Sequence, residues 1–304
     1  MNTPPSPYQI KAFTHVAREG SFSLAAKVLG VTQSSVTQHV GKLETVMGTQ
    51  LFIRRRGALE LTRAGRELFA ISDRLTTLEQ LVNEKISDFS SLADGHIKLI
   101  ANAPRPAMPI IAEYGKRYPQ VQIDFTLYDW TSAMSLLNER QVDMAIITEP
   151  AESATVVTHE LRRSRYMAYM RCDHRLANSD VVSLRDLQNE TLVLPGDGSL
   201  TQRVVNAKIR KHGLTFSRIL KTTTFPMVKE ALLHNLGVGL LLENSLYPSQ
   251  NLVAIPVLEM PETYRDCVVI PKDKNDLRLI KSFLGVCIEL VVSEEDALDD
   301  ARCQ

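Results

Sequence analysis

The sequence predicts a multi-domain α+β chain, and three observations carry that prediction. The first 66 residues show helical apolar spacing punctuated by glycine, and they hold nine Lys and Arg against three acids. The next segment repeats apolar residues at alternating steps of three and four. Beyond Gly95, strand-like runs alternate with helical ones. With 304 residues, 44% of them hydrophobic and 23% charged, the chain has core enough for two or three domains. The formal net charge is zero, so the basic surplus of the N-terminal part is matched by an acidic surplus in the remainder. One basic end on an acidic body points to a polyanionic partner for that end alone.

The first helix is expected from Tyr8 to Glu19, with Ile10, Phe13, Val16 and Ala17 as its inward stripe. Gly20 ends it and Ser21 is placed to cap a short second helix carrying Phe22, Ala25, Ala26 and Leu29. Gly30 supplies the next turn and Thr32 the next N-cap. On a helical wheel the third helix gathers Val36, Val40, Leu43 and Met47 on one face. Ser34, Gln38, Gly41 and Thr45 point the other way, with Ser35, Thr37 and Lys42 near them. Ser and Thr weaken a helix interior because their hydroxyls compete for backbone hydrogen bonds. Short polar groups on an open face are, however, the groups that reach base edges from a major groove. Two helices joined by a tight turn with that outer face make a helix-turn-helix. "LFIRRRGALELTRAG" (51–65) then reads as a two-strand hairpin with Arg54, Arg55 and Arg56 at its tip, placed for phosphate. A plain three-helix domain with a solvated hairpin shares the same spacing.

The run "FTHVAREGSFSLAAKVLGVTQSSVTQHVGKLETVMGTQLFIRRRGALELTRAG" resembles the winged helix-turn-helix of LysR-type transcriptional regulators. The matching residues are Phe13, Gly20–Phe22, Ala25, Ala26, Leu29, Val31–Gln33, Val36, Leu43, Glu44, Gly48, Leu51, Phe52, Leu61, Thr62, Ala64 and Gly65, in order and without gaps. The resemblance implies double-stranded DNA as partner. Ser34, Ser35 and Gln38 depart from the Pro, Ala and Arg frequent in the family, and Gly41 from a frequent Arg, so an operator sequence does not transfer.

Leu68, Ile71, Leu75, Leu78, Val82, Lys85, Phe89 and Leu92 form an a/d heptad seam on a helix of about 28 residues, roughly 42 Å long. A second copy of the same helix is the simplest cover, a helix lying along its own body being the alternative; the resemblance agrees with the first, because the family's linker helix pairs two DNA-binding domains. A paired reader implies a pseudo-palindromic site. A homodimer is expected, a tetramer is the larger assembly the sequence leaves open, and RNA polymerase is a further candidate partner.

In the body, "HIKLIA", "VQIDFTLYD" and "VDMAIIT" read as strands, with helices at Met108–Tyr118 and Ser132–Glu139. A similar series resumes at "ETLVLPGDGSLTQRVVNAKIRKHG" and "SRILKTTTFPMVKEALLHNLGVGLLLENS". Two such halves suggest two subdomains around a cleft. Residues 95–290 resemble, at the level of pattern, the α/β two-subdomain, periplasmic-binding-protein-like effector domain of the same family. The expected division is a DNA-binding domain at 1–65, a dimerising helix at 66–92, an effector domain at 93–290 and an acidic tail at 291–304. Within the effector domain, 95–165 with 267–290 make one subdomain and 166–266 the other. The hinge crossings are expected near Tyr166–Met170 and Cys267–Ile270, and the tail as a solvated, frayed extension.

Four segments are expected to meet at a ligand, namely "ANAPRP", Thr148, "PGDGSLTQR" and "TTTFP". Helix N-termini there suit an anionic group. Asn102, Thr148, Ser199, Thr201 and Thr223 would add hydroxyl or amide bonds, Arg105 and Arg203 ion pairs, and Phe225 an apolar wall. Capping alone also explains Ser199 or Thr201. The effector expected is a small anionic or zwitterionic metabolite. "ANAPRPAMPIIAEYGKRYPQVQIDF" is also similar to LysR regulators associated with aminoethylphosphonate breakdown.

An enzyme is disfavoured, since there is no metal spacing, no Gly-x-Ser-x-Gly, no phosphate loop and no Gly-x-Gly-x-x-Gly after the first strand. No catalytic residue, metal or cofactor is therefore expected. Cys172, Cys267, Cys287 and Cys303 share no ligand spacing and are expected reduced, a redox pair being the alternative. No run approaches the roughly 18–20 apolar residues of a membrane span. Met1–Pro7 lacks the basic and apolar regions of a signal peptide, which favours the cytoplasm over a secreted solute-binding protein. Activation and repression are both left open.

Overall fold

A computed structural model describes residues 4–55, 58–86, 95–243, 245–246 and 249–302. The chain divides into two units. The first is Met1–Ser91 with Asn138–Gln141 and Asp273–Arg278; the second is Leu92–Leu137, Val142–Lys272 and Leu279–Gln304.

The first unit opens with α1 (Pro7–Glu19), α2 (Phe22–Leu29) and α3 (Gln33–Met47). Local chemistry sets each boundary. Ser6 and Gln9 form a reciprocal capping box at α1, and Gly20 closes it at φ +61°. Ser21 caps α2 by accepting from the Leu24 N–H, and Thr32 caps α3 by accepting from the Ser35 N–H. Buried Phe13, Val16, Ala25, Ala26, Val36, Val40 and Leu43 fill one core. Met47, expected with them, is 40% exposed, because the last turn of α3 runs past the core.

Strands β1 (Phe52–Arg55) and β2 (Ala58–Leu61) pair antiparallel, from Phe52 with Leu61 to Arg55 with Ala58. The helix α4 (Arg63–Ile86) starts directly after this wing. Gly65 is required where they meet, since a Cβ there would lie 2.2 Å from the Leu51 carbonyl oxygen. Phe89 and Leu92 lie outside the described residues.

The second unit holds a nine-stranded mixed sheet in the order β4-β3-β5-β11-β6-β9-β7-β8, with β10 also on β6. It is built of β3 (Gly95–Ala101), α5 (Pro104–Arg117), β4 (Val121–Leu127), α6 (Trp130–Asn138) and β5 (Met144–Thr148). There follow β6 (Val156–Arg171), β7 (Leu192–Pro195), α7 (Leu200–Lys211), β8 (Ile219–Thr222), α8 (Phe225–Leu233), β9 (Val238–Leu242), β10 (Leu252–Pro256), β11 (Thr263–Pro271) and α9 (Arg278–Arg302). The two runs β3-β4-β5 and β7-β8-β9 are each parallel within themselves. They share β6, whose residues up to Arg165 pair with β11 while Tyr166–Tyr169 pair with β9. The second crossing is complete by Thr263, which already pairs with Arg165, four residues ahead of the expected Cys267.

Three other elements depart from expectation. Helix α5 begins at Pro104 rather than Met108, because prolines in a first turn give up only N–H groups that have no helical acceptor. The 16-residue β6 was not anticipated, its Arg-rich first half masking the strand pattern. The tail expected as a frayed extension has helical backbone, since α9 continues to Arg302.

Candidate functional site

The first site is the outer face of α3 with the wing. Ser34, Thr37, Gln38 and Lys42 are exposed and Ser35 is half-buried. The hydroxyls are partly spent on the helix itself. Thr37 Oγ1 donates to the Gln33 carbonyl (2.9 Å), and Thr45 Oγ1 to that of Gly41 (2.8 Å). Thr37 thus offers outward an acceptor oxygen and a methyl group rather than a free donor. Ser34 Oγ lies 2.9 Å from the cap hydroxyl of Thr32. Gln38 and Lys42 make no hydrogen bond or ion pair among the described residues, so both ends of the Gln38 amide face outward.

Two residues escaped the sequence reading as parts of this surface. Gln33, the first residue of α3, is exposed, and the Ser23 hydroxyl donates to its Oε1 (2.8 Å), turning its Nε2 donor outward. Glu44 Oε1 accepts from the backbone N–H of Leu51 (2.7 Å) and of Phe52 (3.4 Å), fixing the start of the wing against α3. The Leu-Glu pair of the family resemblance was the signal available for Glu44. Arg54 and Arg55 are exposed on β1, and Arg56 lies outside the described residues.

The helix α4 carries the apolar seam outward. Ile71, Leu75, Leu78 and Val82 are 69, 46, 54 and 57% exposed. Its inward face buries Phe69 in the core shared with α1–α3, with Leu68 packed against it, and farther along buries the polar Ser72, Asp73 and Thr77. The Asp73 carboxylate is wholly buried and binds Arg18 Nε, Arg140 Nε (2.6 Å) and, at 3.9 Å, Lys274 Nζ.

In the second unit, a cavity of about 390 Å³ lies at the carboxyl ends of the parallel strands, where α/β folds place ligands. Asn102 and Leu127 follow or end β3 and β4, Thr148 ends β5, and Pro195, Thr223 and Leu242 mark the ends of β7, β8 and β9. The first residues of α6, α7 and α8 (Trp130, Leu200 and Phe225) also line it. Six of the eight expected contacts, Asn102, Thr148, Ser199, Thr201, Thr223 and Phe225, meet here. Arg105 and Arg203 do not line it. The Arg105 guanidinium donates to the Leu246 carbonyl, and that of Arg203 stacks 4.0 Å from the Trp130 ring centre.

Several lining groups already have structural tasks. Ser199 and Thr224 cap α7 and α8 through Gln202 and Met227 N–H groups. Thr148 Oγ1 donates to Asp266 (2.6 Å), and Thr201 Oγ1 accepts from the Tyr166 phenol (3.4 Å). Asn102 Oδ1 accepts from the Thr148 N–H (3.0 Å), which leaves its Nδ2 donor end. The N-terminus of α5 has no side-chain cap.

The charge of the lining is acidic: Asp129 and Asp197 contribute carboxylates, and among the described residues no Lys, Arg or His lines the cavity. Partial burial opposes the charge of Asp129, but bonds from Ser132 and Thr131 more than offset it and hold the carboxyl below the usual range. A hydrogen bond from Lys221 (2.8 Å) does the same for Asp197. Both are ionised at neutral pH.

Cys267 and Cys287 are buried, and burial pushes their thiols up to about 11 and about 12. Neither is a thiolate at neutral pH, which removes the reactive form. Cys172 is exposed, and Cys303 lies outside the described residues. Among the described residues no group of three or more His, Cys, Asp or Glu is arranged to hold a metal ion. No helix is long and apolar enough to cross a membrane, again among the described residues.

Two family models match the chain. "Bacterial regulatory helix-turn-helix protein, lysR family" covers residues 7–66, and "LysR substrate binding domain" covers 92–291. A probable nitrogen assimilation transcriptional activator of Synechococcus elongatus is 26% identical over 94% of this chain and 95% of its own. An uncharacterised HTH-type regulator of Bacillus subtilis, YvbU, is 27% identical over 94% of this chain and 99% of its own. Among solved structures, a full-length OxyR variant from Pseudomonas aeruginosa superposes with a TM-score of 0.78 at 18% identity, covering 94% of this chain and 95% of that one. The Synechocystis CcmR regulatory domain in complex with 2-PG superposes at 0.59 with 19% identity, over 65% of this chain and 98% of its own.

Proposed function

The chain belongs to the LysR family of bacterial transcription regulators, and from that premise we propose that it reads a pseudo-palindromic promoter site as a homodimer and responds to a small zwitterion held in the cavity. It is a DNA-binding regulator with an effector-binding domain, and the relatives it matches are regulators rather than enzymes. The DNA reading is carried by the outer face of α3. Gln38, with both ends of its amide open, and the acceptor-bearing Thr37 face outward beside Ser34, Ser35 and Lys42. Such groups match base edges in a major groove, Gln pairing best with adenine. Arg54, Arg55 and Arg56 of the wing take phosphate, which positions without specifying. In this proposal the reader lies within 1–65, the pairing segment within 66–92 and the effector domain within 93–290. The exposed stripe of α4 supplies the pairing surface. A tetramer and contact with RNA polymerase extend the proposal, as does the cytoplasm, where bacterial DNA lies.

The ligand class follows from the charge of the cavity. Helix N-termini and the Asn102 amide favour an anionic group, whereas Asp129 and Asp197 oppose a ligand of negative charge alone. A molecule with an acidic group at the helix ends and an ammonium beside Asp129 satisfies both demands. The phosphonate 2-aminoethylphosphonate has this build.

Two measurements test the reading. Mobility shift with a duplex enriched by the chain from a random-sequence pool should weaken steeply as salt rises, as counterion release requires. No enriched duplex, or binding indifferent to salt, would overturn it. Thermal unfolding of the full chain with 2-aminoethylphosphonate should shift upward, by about 2.7 kcal/mol of added stability at a hundredfold excess over Kd. Ethylphosphonate, which lacks the amine, should shift it far less. An equal shift with both would remove the ammonium from the proposal.

A further inference from the structure

Helix α6 has two ends with different surroundings. At its first turn, Trp130 lines the cavity, and its indole N–H donates to the carbonyls of Thr148 (2.9 Å) and Glu149 (3.3 Å). Thr131 Oγ1 donates to the Gly198 carbonyl (3.3 Å), in the loop that opens α7. Gly198 sits so close that a Cβ there would lie 2.6 Å from Asp129 Oδ1. These contacts join the first turn of α6 to the loop that opens α7.

Past the other end, the chain enters the first unit at Asn138. Arg140 has φ +61°, the left-handed region that non-glycine residues avoid unless their surroundings hold them there. Its guanidinium grips Asp273 with two bonds (2.8 and 2.7 Å), and its Nε donates to Asp73 of α4 (2.6 Å). The Asp73 carboxylate has no exposure and is also bound by Arg18 of α1. Asp73, Arg18, Arg140 and Asp273 all belong to the first unit. The Asp73 carboxylate is wholly buried and the Arg140 side chain is 10% exposed, so separating the pair would leave a buried charge uncompensated. The nine residues of α6 span about 13 Å.

We propose that α6 carries ligand occupancy to the DNA-reading helices, with Arg140 and Asp73 as the positioning pair that passes its displacement to α4 and, through Arg18, to α1. This rests on the regulator reading above and specifies how the cavity is regulated. Helix α1 supplies Phe13 and Val16 to the same core as Val36 and Val40 of α3. A shift of α1 thus reaches the reading helix through packed side chains.

A double-mutant cycle on DNA affinity, with the full chain and a duplex it enriches from a random pool, tests this without knowledge of the ligand. Trp130→Ala perturbs the cavity end and Arg140→Gln the α4 end. Thr131→Val, which removes one hydroxyl, replaces Trp130→Ala if that variant fails to fold, and Arg140→Lys replaces Arg140→Gln on the same ground. The cavity-end change is expected to alter affinity about fivefold in the wild-type background and by less than about twofold once Arg140 is replaced. Hydrogen exchange at Ser72–Thr77 should respond to the cavity-end change only while Arg140 is present. Additive effects, or no effect of the cavity-end change on affinity, overturn the proposal while leaving the regulator reading intact, since a merely stabilising pair would give additivity. If the wild-type chain enriches no duplex, the regulator reading fails and this inference falls with it.

Discussion

Helices α3 and α4 are successive amphipathic helices of the first unit, and beyond the second turn of α4 they use their faces in opposite senses. Helix α3 buries Val36, Val40 and Leu43 and turns Ser34, Thr37, Gln38 and Lys42 outward. Helix α4 adds Phe69 to that same core, then past its second turn buries Ser72, Asp73 and Thr77 and turns Ile71, Leu75, Leu78 and Val82 outward. The first is the ordinary economy of a globular helix. The second has a separate reason on each side: inside, cations that satisfy the buried carboxylate, and outside, an apolar stripe that the proposed pairing would cover. Each face of a helix thus records what it is meant to meet, and polarity alone does not tell core from surface.

The largest effect expected from breaking this contrast lies on the inward face of α4. Asp73→Ala leaves Arg140 and Arg18 without their buried carboxylate and should lower stability by about 3–5 kcal/mol. Chemical denaturation of the full chain measures it, and a loss below about 1 kcal/mol would mean that the network is solvated. On the outward face, Leu75→Lys should cost α4 its partner. Light scattering at micromolar concentration should then show the monomer mass, whereas an unchanged assembly would place the pairing surface elsewhere. On α3, Gln38→Ala should reduce discrimination at one base position in each half-site by about 1–3 kcal/mol. Arg55→Ala should weaken all sequences alike and lower the salt slope by about one. Finding these two patterns exchanged would swap reader and anchor. The smallest effect belongs to the cap: Thr32→Ala should lower stability by about 1 kcal/mol, read as a fall in the denaturation midpoint.

The elements easiest to read in the sequence were those whose causes lie within a few residues. Ser21, Gly30 and Thr32 act on their own helix ends, so spacing and residue type sufficed to place α2 and α3. Six of the residues expected at a ligand line the cavity for a related reason: each sits where a strand ends or a helix begins, and α/β topology brings those ends together. The two arginines do not line the cavity, because a long side chain can reach partners away from its own segment. For Arg105 that partner is a carbonyl 141 residues on, and for Arg203 the face of Trp130. Glu44 and Gln33 were missed as functional for the same kind of reason, since their roles depend on bonds to the wing and to Ser23.

By itself the sequence determined the order of modules, the caps, the polar outer face of α3 and the apolar stripe of α4. These follow from residue spacing and backbone hydrogen bonding, which act over one or two turns. Only the tertiary structure decided that the cavity carries carboxylates rather than arginines, and that Asp73 of α4 is shared by Arg18 and Arg140. The bonds that Asp73 makes to those residues span 55 and 67 positions of chain. Whether a charged group ends buried and paired or exposed depends on which distant groups the fold brings within about 4 Å, and no local pattern records that distance.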